Sequence, residues 1–441
     1  AQKDGVRMKW DYRLEHPHRD MRGFSVDELR QDTDESDYFA QDAARPLSFS
    51  EIKSDLTLKN GARFYNDHAH PEYCTPECRT PLSLLQQDWI GDEVLMSCVE
   101  AVNRTTDNPV IVYKNNTDYQ GHSYGCHENY LIPRGTPWDH VAEAMTAFLV
   151  TRQIFTGAGK FGVEDEDRFV SHGFQLGQRS DFFRVLQSVD TMQRRPLVNT
   201  RDEPHADEQL WRRFHVIVGD ANMSPYATWL KVGSTALVLN AIANGAPLRY
   251  FPRLRDPIGA IKAISRDPDF QWNVDLEETW SIPAAHVQHR YVDLAWNYAG
   301  DIFKSEPTWL KVFKAWQKIL DDLSSDPLST ADRLDWSAKY RLIDGFRREQ
   351  NLADDDPWLI SLDLEYHRLD REEGLFYGLL QNEAIALPYP RESISGNVLA
   401  PPRDTRAAVR GACIEKFGTQ VIASQWDHIQ LQGAARKIEL D

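Results

Sequence analysis

The chain lacks the marks of several large functional classes. Its 441 residues include only five cysteines, Cys74, Cys78, Cys98, Cys126 and Cys413. That odd number without regular spacing suits reduced thiols in the cytosol rather than a disulfide framework. Cys74 and Cys78 stand four apart, but no second pair completes a zinc site. No run approaches the ~20 apolar residues that span a bilayer. The start, Ala1-Gln2-Lys3-Asp4-Gly5, is polar rather than signal-like, so a cytoplasmic location is expected. Positive charge is scarce, with 50 Lys and Arg against 67 Asp and Glu and a net charge of −17. That balance argues against nonspecific binding to nucleic acid or to an anionic membrane. There is no Walker glycine loop, no GxGxxG, no GxSxG nucleophile elbow and no internal repeat.

What is present is the composition of a globular protein, 41% hydrophobic and 27% charged. The length predicts one large domain with a smaller one appended. Residues 1–50 read as a loop region, strongly acidic from Asp20 to Asp42, with a short helix at Ser25-Val26-Asp27-Glu28-Leu29 started by a capping box. Residues 51–390 read as the main domain and 391–441 as a small C-terminal domain beyond the proline-rich Leu387–Pro402 stretch. Lys59-Asn60-Gly61 between Leu56-Thr57-Leu58 and Arg63-Phe64-Tyr65 is a hairpin signal. Apolar periodicity predicts a helix from Leu82 to Val102, then a buried strand Pro109–Tyr113, and a helix over 136–156. Strand-like pieces follow near 173–179, 180–186 and 211–219, then helices over 224–243, 255–265, 284–300, 306–323 and 328–350. Such helices are expected to pack on one side of a sheet.

Polar residues gather in four places. Tyr65-Asn66-Asp67-His68-Ala69-His70-Pro71-Glu72-Tyr73 carries two carboxylates and two imidazoles. Read as a single strand end, it puts 68, 70 and 72 on one face and Asp67 on the other. Asn115-Asn116-Thr117-Asp118 leads into Ser123-Tyr124-Gly125-Cys126-His127-Glu128-Asn129-Tyr130, and Gln178-Arg179-Ser180-Asp181 follows. Asn199-Thr200-Arg201-Asp202-Glu203-Pro204-His205-Ala206-Asp207 combines arginine, histidine and carboxylates. Each alone could be an ordinary solvated loop. Together they suit Mg²⁺ completed by phosphate oxygens, with arginine forks neutralising the phosphates.

These segments, with His215-Val216-Ile217-Val218-Gly219-Asp220-Ala221-Asn222, closely resemble the family of Pup ligases and Pup deamidase/depupylases over nearly the whole chain. The fold implied is the α+β carboxylate-amine ligase fold of glutamine synthetase, a large mainly antiparallel sheet packed with helices plus a small C-terminal domain. Asp67-His68-Ala69-His70-Pro71, Gln178-Arg179-Ser180-Asp181-Phe182-Phe183, Trp10-Asp11-Tyr12 and Arg19-Asp20-Met21-Arg22-Gly23-Phe24 resemble the depupylase branch. The resemblance implies a hydrolase that uses Mg²⁺ and ATP, or ADP plus phosphate. It would deamidate the C-terminal Gln of Pup or cleave its isopeptide bond to a substrate lysine, so the implied partner is Pup or a Pup-conjugated protein. Asp67 would attack the γ-carbonyl or activate water, with His70 and His127 beside it. Glu72 and His205 would help hold metal, and Arg179 and Arg201 phosphate. Arg406, Arg410 and Trp426 resemble the segment that closes over the nucleotide, with Trp426 near the base.

Two departures stand out. The family's Gly-x-Glu-Thr-Glu strand, whose glutamates bind Mg²⁺, is not in this sequence, and Asn66 stands where relatives carry an apolar residue. The first departure leaves open a truncated or unresolved strand, or an N-terminal fragment of the protein's own precursor bound as a separate chain. The last case would fit a self-processing peptidase with little need for ATP. The sequence is also compatible with a Pup ligase and with a non-catalytic relative that only binds Pup.

Overall fold

Helix formation follows from apolar spacing and from well-chosen caps. Thr80 and Ser83 form a reciprocal capping box that starts α1 (Pro81–Asn103). The other long helices are α2 (Trp138–Thr151), α3 (Pro225–Ala243), α4 (Pro257–Arg266), α5 (Ala284–Asn297), α6 (Pro307–Ser325), α7 (Asp335–Glu349), α8 (Pro357–Tyr366) and α9 (Arg406–Phe417). Ser224 caps α3 and Asp256 caps α4, each accepting a backbone N–H, with proline inside the first turn of both. The computed structural model describes residues 5–7, 9–12, 15–27, 29, 53–67, 70–165, 168–192, 194–396 and 399–440.

The main core lies where α2, α3, α5 and α6 meet. The Phe148 ring stands 5.3 Å from Tyr291 and 5.9 Å from Trp316, edge to face, so one helix from each neighbour is locked to α2. Because α2 and α3 are buried on nearly all sides, the polar groups they carry must be paired internally. Arg152, just past α2, does this with Glu128, and also bonds Thr235 and the carbonyl of Val218.

The strands are arranged around this helical body. β1 (Gly5–Arg7), β2 (Lys9–Trp10), β3 (Leu56–Leu58), β4 (Arg63–Asp67) and β5 (His70–Cys74) come first, and β1-β3-β4-β5 form one antiparallel sheet. β6 (Glu128–Pro133) pairs antiparallel with β11 (Trp211–Val216), while β7 (Lys160–Asp165) pairs with β8 (Arg168–Gln175). β9 (Phe183–Ser188) and β10 (Arg195–Asn199) run parallel, and β12 (Asn273–Val274) pairs with β13 (Ile282–Pro283). At the C-terminus β14 (Val421–Ser424), β15 (His428–Leu431) and β16 (Ile438–Glu439) form a sheet that β2 joins in parallel beside β14. With its helices and mainly antiparallel pairs, the chain is an α+β protein. Among the described residues no helix is long and apolar enough to cross a membrane.

Three local expectations change. Asp67 and His70 are not on one continuous strand: β4 and β5 are antiparallel partners that pair Asp67 with His70, Tyr65 with Glu72 and Arg63 with Cys74. Directly opposed residues share a face, so Asp67, His70 and Glu72 lie on the same side. His68 lies outside the described residues. Pro109–Tyr113 is not a buried strand either. Val110 and Ile111 are 44% and 47% exposed, Val110 is held by the side chain of Asn103, and Tyr113 meets Arg368 in an isolated bridge. Among the described residues Ser25 caps no helix; it bridges Arg19 across a tight turn at Gly23, while Glu28 and most of the acidic stretch lie outside the described residues.

Candidate active site

The acidic end of the site is the β4–β5 hairpin, whose geometry begins at the turn before it. Asn60 is buried, and its amide accepts from the N–H of Ala62 and donates to Tyr73 Oη and Gln87 Oε1. Gly61 has φ +81°, and a Cβ there would lie 2.8 Å from the carbonyl oxygen of Ala407, so glycine is required for α9 to approach. On the shared face, Tyr65 Oη and Cys74 Sγ both donate to Glu72 Oε1, at 3.0 and 3.3 Å. Burial first, then the charge of Asp67, raises the Glu72 pKa, against the lowering effect of those two donors. Lys53 Nζ reaches Asp67 Oδ1 at 2.7 Å, and the His70 ring lies 4.5 Å from that of Tyr124.

The basic end is the β6–β11 ribbon. Register places Asn129 opposite His215 and Leu131 opposite Arg213, so these side chains share the face away from the core. Asn129 Oδ1 faces His215 Nδ1 at 2.8 Å and accepts from Arg213 Nη1 at 2.9 Å; Arg213 Nη2 also donates to Glu203 at 3.2 Å. His127, next to the start of β6, meets the His215 ring edge to face at 5.2 Å. Burial and then the charges of Arg179, Arg195, Arg201 and Arg213 push His127 down to about 3. The residue is exposed to solvent, so the arginine field is the cause that persists in water. His205, held at φ +52°, and His215 are likewise pushed well below the usual range by burial and then by Arg213. Arg179 and Arg213 themselves fall to about 10 on burial.

The nominated residues are therefore distributed unevenly. Asp67, His70 and Glu72 come together on the hairpin; His127, Arg201 and His205 lie in the field of the arginines. Arg179 holds the loops, donating to Ser123 Oγ and to the carbonyls of Ile217 and Gly219. Arg406 donates to Glu77 and to the His205 carbonyl, while Arg410 grips Glu77, the Gly61 carbonyl and the Trp426 carbonyl. Trp426 packs between Arg410 and the ring of Trp10. Arg63, Lys53, Tyr65, Arg195, Arg213 and His215 were not nominated from the sequence. Only strand register, which pairs Arg213 and His215 with β6, could have signalled the last two.

A polyanion fits the basic end, where Arg201 Nε is buried without a hydrogen-bond partner and neutral histidines adjoin crowded guanidiniums. Two carboxylates have capacity left for a cation: Glu203 Oε1 is buried without a hydrogen-bond partner, and burial with the charge of Asp67 raises the Glu72 carboxyl, which a cation would relieve. Among the described residues no three His, Cys, Asp or Glu side chains are arranged to hold an ion alone. Magnesium does not need such a cage, since it usually takes one or two carboxylates and fills its shell with phosphate and water.

Known proteins share this arrangement of sequence. The profile of the Pup-ligase protein family matches residues 1–430. The depupylase of Acidothermus cellulolyticus is 39% identical over 434 residues, covering 96% of this chain and 82% of that protein. The Pup deamidase/depupylase of Mycobacterium tuberculosis is 38% identical over 431 residues with the same coverage. A Pup–protein ligase from Nocardioides sp. is 37% identical over 396 residues, covering 88% of this chain and 86% of the ligase. The structure of the Pup ligase PafA in complex with ADP superposes with a TM-score of 0.78 at 32% identity, over 95% of this chain and 93% of that one. Fold and sequence agree, and the chain belongs to the Pup-ligase protein family, which unites ligases with depupylases.

Proposed function

We propose that this protein is a hydrolase of the depupylase branch, which cleaves the isopeptide bond between the C-terminal residue of Pup and a substrate lysine and deamidates the C-terminal Gln of Pup. The observation that carries the reading is the pairing of Asp67 with His70, on the same face as Glu72, with Arg63 acting on both Glu72 and His205. By sequence the depupylases cited match 96% of this chain at 38–39% identity, against 88% at 37% for the Nocardioides ligase, which favours the hydrolytic branch, while the PafA structure covers 95% and separates the branches less.

In this reading Asp67 attacks the γ-carbonyl, or takes a proton from the water that does. A bond forms to the carbonyl carbon from Asp67 or from the water, the C–N bond breaks, and the leaving amine gains a proton that ultimately comes from water; where Asp67 attacks, water then opens the resulting anhydride and restores the Asp67 carboxylate. His70, opposite Asp67, is placed to carry that proton. Glu72 is oriented by Tyr65 and Cys74, which occupy one of its oxygens. Arg201, with the ribbon arginines, would hold the phosphates of ATP or ADP while the buried Arg179 fixes the loops around them, and Arg406 and Trp426 would close over the nucleotide, with Arg410 buried against Glu77 to hold that segment. Mg²⁺ would be held by Glu72 and His205 and would neutralise phosphate charge. His127, kept neutral by the arginines, is left able to accept a hydrogen bond.

The test is incubation with a Pup–lysine conjugate, with and without ATP. Cleavage only with nucleotide is expected. Formation of the conjugate from free Pup and a lysine-bearing protein, without cleavage, would instead make the protein a ligase.

A further inference from the structure

Lys53 places its ammonium 2.7 Å from Asp67 Oδ1, and the same nitrogen stands 5.6 Å from the centre of the Tyr65 ring. Lys53 is largely covered, with 17% of its side chain exposed. Its direction is set by the chain around it. Ser54, next in sequence, lies in the left-handed region at φ +49°, an unfavourable conformation for serine that neighbouring structure must maintain. Asp55 then anchors the segment, accepting from Arg63 Nε at 2.9 Å and Arg63 Nη2 at 2.7 Å, and from Tyr12 Oη at 3.2 Å. Arg63 is in turn stacked 3.8 Å over Tyr65 and 4.2 Å over Trp10. The backbone thus bends sharply between a fixed carboxylate and a lysine aimed at the residue proposed to start the reaction.

We propose that Lys53 is a tethered stand-in for the substrate's lysine: its ammonium fills an amine subsite formed by Asp67 and the face of Tyr65, and an incoming lysine side chain must displace it. This rests on the reading of Asp67 as the reacting carboxylate. In an isopeptide substrate the scissile nitrogen belongs to a lysine, and it must come within reach of the group that attacks the adjoining carbonyl. A second lysine nitrogen already at that carboxylate occupies the same space and has the same charge as the released amine. Because it is attached to the hairpin's own sheet, its effective concentration is about millimolar. Lys53 therefore lowers apparent affinity by the fraction of time it occupies the subsite, and it discriminates against weakly held amines.

Two measurements test this. In the first, Lys53→Ala and Lys53→Gln are compared with the wild type for cleavage of a Pup–lysine conjugate under saturating nucleotide. Both variants are expected to lower KM about two- to fivefold, the scale of a partly exposed ion pair, while Lys53→Arg stays near wild type. The second needs no activity: Lys53 acylation by acetic anhydride is followed by mass spectrometry while n-butylammonium is titrated. Labelling of Lys53 relative to the exposed Lys304, which corrects for the anhydride that butylamine consumes, is expected to rise as butylammonium takes its place, and Asp67→Asn is expected to give a high ratio from the start. A fall in cleavage rate in Lys53→Ala would overturn the proposal by making Lys53 part of the machinery. Labelling unmoved by butylammonium would also overturn it. If the wild type cleaves no Pup conjugate while butylammonium still exposes Lys53, the functional reading fails and the amine subsite stands.

Discussion

The hairpin and the ribbon solve opposite electrostatic problems with the same device, a two-stranded antiparallel pair that brings opposed side chains to one face. On the hairpin the face is acidic and hydroxylic, and burial pushes the Glu72 carboxyl up. On the ribbon the face is imidazole and guanidinium; burial and then Arg213 push His215, and beside the ribbon His205, down, and the arginine field lowers the exposed His127. The difference supports the proposed division of the reaction, with nucleophilic carboxylate chemistry at one end and a polyanion at the other. Arg63 lies between them, lowering both the Glu72 and the His205 values.

The comparison can be broken at its scaffold first. Arg152→Met would strand Glu128 of β6 as an unpaired buried carboxylate, at a cost of about 3–5 kcal/mol, read as a large drop in thermal midpoint with the hairpin intact. A smaller effect, confined to the basic end, is expected of Arg201→Ala. Losing charge-assisted bonds worth about 1.5–3 kcal/mol should weaken ATP binding roughly 10- to 100-fold by calorimetry, with little change in stability. At the acidic end Tyr65→Phe removes one donor to Glu72. The expected loss is about three- to tenfold in cleavage rate, for about 1 kcal/mol, with nucleotide affinity unchanged.

Acidity separates the two ends most finely, because their shifts have opposite sign. The folded pKa values of His127 and His215 lie below 6.5. Below pH 6.5 the unfolded chain therefore binds protons that the folded chain refuses, and stability falls as pH falls, toward about 3 for His127. Glu72 is raised above 4.5, so its contribution falls as pH rises through and above that value. Thermal midpoints measured from pH 7.5 down to pH 5 should decline, and His215→Gln should flatten the slope by up to about 1.4 kcal/mol per pH unit.

Much of the fold was legible because its signals are local. Caps, periodic apolar residues and the Asn60-Gly61 turn give the helices and the first hairpin close to their observed bounds. The failures are non-local. Whether Asp67 and His70 share a strand or face each other across a turn depends on register, which a run of nine residues does not reveal. Val110 and Ile111 have the composition of a buried strand, but among the described residues no strand lies beside them to bury them. The parallel pairing of Lys9 and Trp10 with Ala423 and Ser424 joins opposite ends of the chain, and no spacing rule reaches that far. At the site the titratable residues of Asp67–Glu72 and Arg201–His205 were visible as clusters, whereas Lys53 and Arg63 were not, because their roles come from stacking and from one strained residue.

The central claim is that chemistry resides on the hairpin and nucleotide binding on the ribbon. Asp67→Asn, assayed side by side for ATP affinity and for single-turnover cleavage of a Pup–lysine conjugate, tests it most directly. The expected result is ATP binding within about twofold of the wild type and cleavage reduced by about a thousandfold or more. Cleavage at the wild-type rate, or ATP affinity lost together with cleavage, would contradict the account.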